Sequence, residues 1–172
     1  REEKGHLVLH FENAFHGRTG YTLSVTNTIP DKVKYFPKFN WPRVISPANH
    51  YPETDESVVH VLKHEHLAIE QAKRYFETHK DEIACILIEP IQAEGGDRHF
   101  RQEFHQELRK LADTYEALLI YDEVQTGIGL TGKFWAHEHF VKPDIIAFGK
   151  KAQVCGILAG KRLDEVETNC FK

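Results

Sequence analysis

The run Ile83-Ala84-Cys85-Ile86-Leu87-Ile88, followed directly by Glu89-Pro90, decides the fold class of this chain. Continuous apolar runs of this kind are typical of a parallel strand that is covered on both faces. Similar runs occupy 117–121 and 145–148, and helical periodicity fills 56–79 and 100–115. Because strands and helices alternate, the sequence predicts an α/β fold with a mostly parallel sheet and helices on both faces.

Two further strands are predicted outside these runs. Residues 7–11 form one short apolar strand, and 157–160 form another at the opposite end of the sequence. Five of the seven prolines lie between 30 and 52, which excludes a long helix or a central strand there. We expect an irregular excursion that contains a short strand near Val44-Ile45.

Composition restricts the class of protein. The 172 residues carry a net charge of −4, which argues against a nucleic-acid partner or an acidic membrane surface. We find neither an apolar run of transmembrane length nor the apolar core of a signal peptide. Three cysteines without metal-binding spacing predict reduced thiols and a cytoplasmic protein. The absence of methionine predicts that the sequence is an internal piece of a longer chain.

A polar residue follows each of the three buried runs. Glu89, Asp122 and Lys150 occupy these positions, and the carboxyl ends of parallel strands meet at one edge of the sheet. A desolvated Lys150 could form a Schiff base with a carbonyl group, although Lys150-Lys151 could equally be a solvated pair. Asp122 could bind a cation, or it could accept backbone N–H groups in the next turn.

Two other patterns suggest binding sites with less support. The segment Gly127–Gly132 fits GxGxxG after a strand, which leaves a dinucleotide-binding module open as an alternative. Its context is poor, because Asp122-Glu123 would repel a pyrophosphate. The 12 histidines include no HExxH motif, so we predict no metal site.

Four motifs together match a known family in composition and order. They are Ala14-Phe15-His16-Gly17-Arg18-Thr19, Ile88-Glu89-Pro90-Ile91-Gln92-Ala93-Glu94-Gly95-Gly96, Asp122-Glu123-Val124-Gln125-Thr126-Gly127 and Pro143-Asp144-Ile145-Ile146-Ala147-Phe148-Gly149-Lys150. With this set the chain resembles the class III, pyridoxal-phosphate-dependent aminotransferases. A narrower resemblance, to the lysine 6-aminotransferases, rests on 20–28, 36–43 and 149–156.

The resemblance implies a role for each residue at the cofactor, pyridoxal 5'-phosphate. Lys150 would carry the cofactor and move the proton during transfer, with Lys151 as the competing lysine. Asp122 would pair with the pyridinium nitrogen, which keeps the ring an electron sink. The remaining ring contacts would come from Val124 on one face, Phe15 on the other face and Gln125 at the phenolic oxygen.

The resemblance also implies the substrates. Arg18 would hold the substrate carboxylate that lies far from the reacting amine, since a guanidinium fork suits a carboxylate. Glu94 would pair with an arginine beyond Lys172 while lysine is bound, and release it for the α-carboxylate of 2-oxoglutarate. Glu89 would order the site without doing chemistry. Ornithine and 4-aminobutyrate remain alternative amino donors, because aminotransferases for both share most of these motifs.

The resemblance places residues 1–172 in the middle of a larger enzyme. They would form the central segment of the large domain of the aspartate-aminotransferase-like fold, without its amino-terminal part and the small carboxyl-terminal domain. The phosphate-binding turn and a threonine from the partner subunit would also lie elsewhere. We therefore expect a homodimer for the complete enzyme, and no activity for this segment alone.

Overall fold

The computed structural model describes residues 4–165 of the chain, which form one main sheet with helices packed on it. The eight strands are β1 (Leu7–Phe11), β2 (Arg43–Val44), β3 (Ile83–Ile88), β4 (Ile91–Gln92), β5 (Arg98–His99), β6 (Leu118–Asp122), β7 (Ile145–Phe148) and β8 (Gly156–Ala159). Two α-helices are present, α1 (Asp55–Thr78) and α2 (Gln102–Thr114). Short 3₁₀ helices cover Gly20–Ser24, Pro30–Lys32, Ala136–His139, Lys150–Ala152 and Lys161–Glu165.

Six strands form the main sheet in the order β2-β1-β3-β6-β7-β8. Every neighbouring pair from β2 to β7 is parallel, and β4 pairs with β5 in a separate antiparallel ribbon. The register places Ile88 beside Tyr121 and Asp122 beside Ala147. The predicted α/β fold with a mostly parallel sheet is therefore confirmed.

The edge strand β8 is antiparallel to β7, with Ala147 opposite Ile157. Its direction follows from the length of the connection. Only residues 149–155 join the two strands, and a parallel crossover needs about a dozen residues or more. A strand that returns to the sheet so soon can therefore pair only in the antiparallel direction.

Helix α1 begins at a capping box. The Thr54 hydroxyl accepts the Ser57 amide at 3.2 Å, and the Ser57 hydroxyl accepts the Thr54 amide at 2.8 Å. Asp55 and Glu56 add negative charge to the first turn, where the helix dipole favours it.

No helix within residues 4–165 is long and apolar enough to cross a membrane.

The hydrophobic core lies between the sheet and the two α-helices. Alternate strand residues such as Leu9, Ile86 and Leu119 are fully buried and meet buried residues of both α1 and α2. Phe104 of α2 packs edge-on against Phe11, with 5.9 Å between the ring centroids. The helices also contact each other, so both lie on one face of the sheet.

The opposite face of the sheet carries Leu87, Leu118 and Ile120, which are only half-buried. The prediction had placed helices on both faces, but among residues 4–165 the two α-helices share a single face. The continuous apolar runs still explain the prediction, because they supply apolar side chains to both faces of the sheet.

The excursion between β1 and β2 contains two 3₁₀ helices and no α-helix, as its prolines predict. Its far end is fastened by the Phe39 amide, which donates to the Ser24 hydroxyl at 2.9 Å. Tyr21, Phe39 and Trp41 stack on one another, with centroid distances between 5.1 and 6.2 Å. These contacts within the excursion help to order its far end.

Two valines of α1 provide a matched test of where the core lies. Val61 is 4% exposed and Val59 is 66% exposed. In the full-length protein, Val61→Ala should lower the free energy of unfolding by about 2 kcal/mol, because buried methyl groups are lost. Val59→Ala should change the free energy of unfolding by no more than about 0.5 kcal/mol, because its methyl groups are exposed. The change in helix propensity is the same at both positions, so it cancels in the comparison. Urea unfolding measures both variants, and equal values would contradict this packing.

Candidate functional site

The three residues predicted at the strand ends lie at the same edge of the sheet. Asp122 is the last residue of β6, Glu89 directly follows β3, and Lys150 lies two residues beyond β7. These strands are parallel neighbours in the order β3-β6-β7. Their carboxyl ends therefore converge, which is where ligands bind in open α/β sheets.

Asp122 is held in place by two hydrogen bonds. Its Oδ2 accepts from His16 Nδ1 at 2.8 Å, and its Oδ1 accepts from the Val124 amide at 3.1 Å. The His16 side chain is 2% exposed, and its amide donates to the Thr26 hydroxyl at 2.9 Å. The imidazole therefore fixes the direction of the carboxylate while the carboxylate remains 12% exposed.

His16 was not among the predicted site residues, although it lies in one of the motifs. It is separated from Asp122 by 106 positions in the sequence, and no local pattern connects the two. Only the pairing of β1, β3 and β6 brings them together.

Glu89 is a buried carboxyl group next to Asp122 and His16. It is 3% exposed, and its Oε1 accepts the Phe15 amide at 2.8 Å. Burial raises the pKa of Glu89 to about 7, opposed by the nearby His16 and by the Phe15 hydrogen bond. Asp122 raises this pKa further through charge repulsion. Glu89 therefore titrates near neutral pH. Its hydrogen bond to the Phe15 amide also ties the end of β3 to the loop that follows β1.

Residues 12–15 and 89–95 form a tight contact that we call the loop junction. Gln92 is fully buried, and its amide donates to the Glu12 carbonyl at 2.7 Å. A Cβ atom at Gly95 would lie 2.1 Å from the Asn13 carbonyl oxygen, which no side chain could tolerate. The loop junction therefore fixes the segment that carries Phe15 relative to the segment that carries Glu94.

Cationic side chains surround Glu94 at the rim of this edge. Lys32 donates to Glu94 Oε1, and its Nζ lies 5.3 Å from the centroid of the Phe15 ring. The hydrogen bond and charge of Lys32 lower the pKa of Glu94, with smaller contributions from Lys150 and Arg18. Arg18 is exposed near this rim. Lys32 lies in none of the sequence motifs, and no role was predicted for it.

The loops after β6 and β7 meet through Val124 and Gln125. A Cβ atom at Gly149 would lie 3.6 and 3.7 Å from the two Val124 methyl groups. Val124 therefore packs against Gly149, the residue that precedes Lys150. Lys151 Nζ donates to the Gln125 carbonyl at 2.5 Å. The two loops therefore share a packing contact and a hydrogen bond.

The two adjacent lysines differ in their surroundings. The Lys151 amine is bound to a carbonyl oxygen, whereas within residues 4–165 the Lys150 amine has no hydrogen-bond partner. Lys150 has a φ of 46°, in the left-handed region that non-glycine residues rarely adopt. Strained backbone of this kind is found preferentially at functional sites.

The segment Gly127–Gly132 forms successive turns and does not begin a helix. The dinucleotide fingerprint needs a helix amino terminus at this point, and that requirement is not met. Glu123 instead anchors the end of the segment, because its carboxylate accepts the amides of Ala136 and His137 at 2.6 and 2.9 Å. Glu123 was quoted within a motif, but the sequence assigned it no role.

Within residues 4–165, no group of three or more His, Cys, Asp or Glu side chains is arranged to hold a metal ion. Cys85 is buried, Cys155 is exposed, and both are free thiols. Cys170 lies outside the described residues.

Comparison with known proteins agrees with this architecture. The family "Aminotransferase class-III" matches residues 1–167. An L-lysine-epsilon aminotransferase of Mycobacterium tuberculosis is 56% identical over 168 residues, which cover 97% of this chain and 37% of that protein. A 4-aminobutyrate aminotransferase of Emericella nidulans is 38% identical over 156 residues, covering 89% of this chain and 31% of its own length.

A solved structure of the same kind is also similar. It is a lysine aminotransferase from M. tuberculosis in the internal aldimine form, with a TM-score of 0.89 and 53% identity. The match covers 94% of this chain and 37% of that chain. The present sequence thus spans between 31% and 37% of the length of these relatives.

The raised pKa of Glu89 predicts a pH dependence of stability. Between about pH 4.5 and 7, the folded state binds more protons at Glu89 than the unfolded state does. Its contribution to the free energy of unfolding therefore falls as the pH rises through this window. Glu89→Gln should flatten the curve of unfolding free energy against pH in this range. Glu77→Gln, on the exposed side of α1, is the control, and an unchanged slope in Glu89→Gln would contradict the prediction.

Proposed function

The chain belongs to the class III aminotransferase family, and on that premise we propose that the full-length protein transfers the ε-amino group of L-lysine to 2-oxoglutarate. The products would be 2-aminoadipate 6-semialdehyde and glutamate, and pyridoxal 5'-phosphate would be the cofactor. The observation that carries this proposal is the convergence of Asp122 and Lys150 at the ends of two paired parallel strands. The 56% identity to an L-lysine-epsilon aminotransferase supports lysine as the donor.

The side chains at this edge suit a pyridoxal ring. Each oxygen of the Asp122 carboxylate accepts one hydrogen bond and has a lone pair left for a ring N–H. Lys150, at the end of the neighbouring strand, is exposed, and its amine has no hydrogen-bond partner within residues 4–165. When bound, the cofactor supplies an electron sink for the carbanion that forms when the substrate loses a proton.

Lys150 would do the proton chemistry. Its Nζ would hold the cofactor, and the same amine would take the proton from the substrate carbon that bears the nitrogen and later return it. Lys151 is unsuited to this role because its amine is held by the Gln125 carbonyl.

The neighbouring residues would hold the ring and tune it. Asp122 would keep the proton on the pyridinium nitrogen, and His16 holds the Asp122 carboxylate in place for that role. Gln125 would donate to the phenolic oxygen, while Val124 and Phe15 would pack on the two faces of the ring. The hydrogen bond from the Phe15 amide to Glu89 fixes the backbone that carries Phe15.

The substrate carboxylates would be bound at the rim. Arg18 holds the carboxylate far from the reacting amine through its planar fork. Glu94 is the residue that must respond to two unlike substrates, since lysine presents an amine at the reacting end and 2-oxoglutarate presents a carboxylate.

The proposal extends to a homodimer in the cytoplasm.

The second candidate is another ω-aminotransferase of the same family, with ornithine or 4-aminobutyrate as the donor. The 38% identity to a 4-aminobutyrate aminotransferase is the observation that favours it. All three donors react through a terminal amine, so the same Lys150 and Asp122 would serve each of them.

Borohydride trapping tests the role of Lys150. Reduction of the full-length protein loaded with cofactor should fix the cofactor on Lys150 irreversibly, and peptide mapping would locate the label. Lys150→Ala should lower the turnover number by at least about a hundredfold, because general acid–base catalysis is lost. Lys151→Ala is the matched control at the adjacent position and should retain the label. A label on Lys151, or on no lysine, would refute the assignment.

A donor panel separates the two candidate functions. Full-length protein is assayed with L-lysine, L-ornithine and 4-aminobutyrate at a fixed concentration of 2-oxoglutarate. We expect kcat/KM for L-lysine to exceed that for L-ornithine by at least about tenfold, the discrimination that a single methylene allows, and that for 4-aminobutyrate, which also lacks the α-amino group, by at least as much. A preference for either of the other donors would replace the proposed function by the second candidate.

A further inference from the structure

Lys32 joins two residues of the candidate site. It ends the 3₁₀ helix Pro30–Lys32, and its side chain is 24% exposed. Its ammonium group donates to the Glu94 carboxylate and lies 5.3 Å from the centre of the Phe15 ring. A cation over an aromatic face is held by the ring quadrupole as well as by the carboxylate. Lys32 is therefore fixed at the rim from two sides.

Three positively charged side chains, Lys32, Lys150 and Arg18, act on the Glu94 carboxylate. Its pKa is lowered first by Lys32, and also by Lys150 and Arg18. Lys32 makes the direct hydrogen bond, so it is the main source of neutralising charge among residues 4–165. Without Lys32, the Glu94 carboxylate, which is 41% exposed, would lose the cation that is hydrogen-bonded to it among residues 4–165.

The two substrates of the proposed reaction respond differently to that charge. Lysine presents only an amine at its reacting end. The dicarboxylate 2-oxoglutarate brings a carboxylate next to its reacting carbonyl, and a bare Glu94 would repel it. Neutralisation of Glu94 therefore matters for the dicarboxylate and has little effect on the donor.

We propose that Lys32 is a positioning residue that neutralises Glu94 and thereby permits the second carboxylate of the dicarboxylate substrate to bind. It acts through Glu94 and does not touch the reacting atoms. The inference rests on the proposed function, from which it takes the dicarboxylate as second substrate.

The test uses two acids that differ in one carboxylate. Glutarate has the five-carbon chain and both carboxylates of 2-oxoglutarate, and pentanoate has the same chain with one carboxylate. Each is titrated into the full-length, cofactor-loaded protein by calorimetry. Lys32→Met removes the charge and keeps an apolar side chain of similar length over Phe15.

A partly exposed ion pair predicts a moderate effect. Lys32→Met should raise the Kd for glutarate about three- to fivefold and leave the Kd for pentanoate unchanged. Lys32→Arg should restore glutarate binding. Lys34→Met is the matched control, because Lys34 also pairs with a carboxylate, Asp31, and lies 4.8 Å from the Tyr35 ring, and neither partner belongs to the candidate site. It should change neither constant.

A double-mutant cycle shows whether Lys32 acts through Glu94. In a Glu94→Gln background, Lys32→Met should no longer weaken glutarate binding. The inference is overturned by an undiminished loss in that background, by equal losses for both acids, or by no loss at all. Because neither acid is an amine donor, these results are independent of the donor panel, which alone decides whether lysine is the donor.

Discussion

The loop junction is the contact on which the arrangement of the candidate site depends. The Glu89 carboxyl group, the Gln92 amide and the bare Cα of Gly95 each meet backbone atoms of residues 12–15. Two of these are hydrogen bonds made by buried side chains, and the third is a close approach that only glycine allows. Phe15 and Glu94 come from distant parts of the sequence, and this contact fixes where each of them lies.

Buried carboxyl groups support the site in a common way. Glu89 and Glu123 are almost fully buried. Glu89 accepts the Phe15 amide, 74 positions away, and Glu123 accepts the amides of Ala136 and His137, 13 and 14 positions away. Asp122 accepts an amide of its own loop and the ring nitrogen of His16. A buried acceptor that lost these donors would be costly, so each carboxyl group strongly favours one loop conformation. The site is thus ordered mainly by side chain-to-backbone hydrogen bonds.

Local sequence patterns could predict the strand ends but not these cross-connections. The apolar runs before Glu89, Asp122 and Lys150 define strands without reference to anything distant, and the parallel pairing then brings the three residues to one edge. His16 and Lys32 could not be found in this way, because their partners are 106 and 62 positions away. Such contacts depend on the register of the whole sheet.

Other differences between expectation and structure have separate physical reasons. The direction of β8 was accessible to sequence reasoning, because the short connection after β7 leaves no room for a crossover. The placement of both α-helices on one face has no comparable local signal, since the strands are apolar on both faces. Turn glycines at Gly127 and Gly129 resembled a phosphate-binding loop, although the preceding Asp122-Glu123 already argued against one. The absence, among the described residues, of a helix that begins at these glycines excludes that loop.

The hydrogen bond from Lys151 to the Gln125 carbonyl has a consequence for how the sheet edge could open. The strands that carry Asp122 and lead to Lys150, β6 and β7, are already paired, and this hydrogen bond adds a second connection between the loops that follow them. The segments that carry Asp122 and Lys150 are therefore joined twice, by the backbone hydrogen bonds between β6 and β7 and by the Lys151–Gln125 hydrogen bond. Fraying at the carboxyl end of β7 would break one connection and leave the other, so the separation of Asp122 and Lys150 should survive local opening events that unpair the strand.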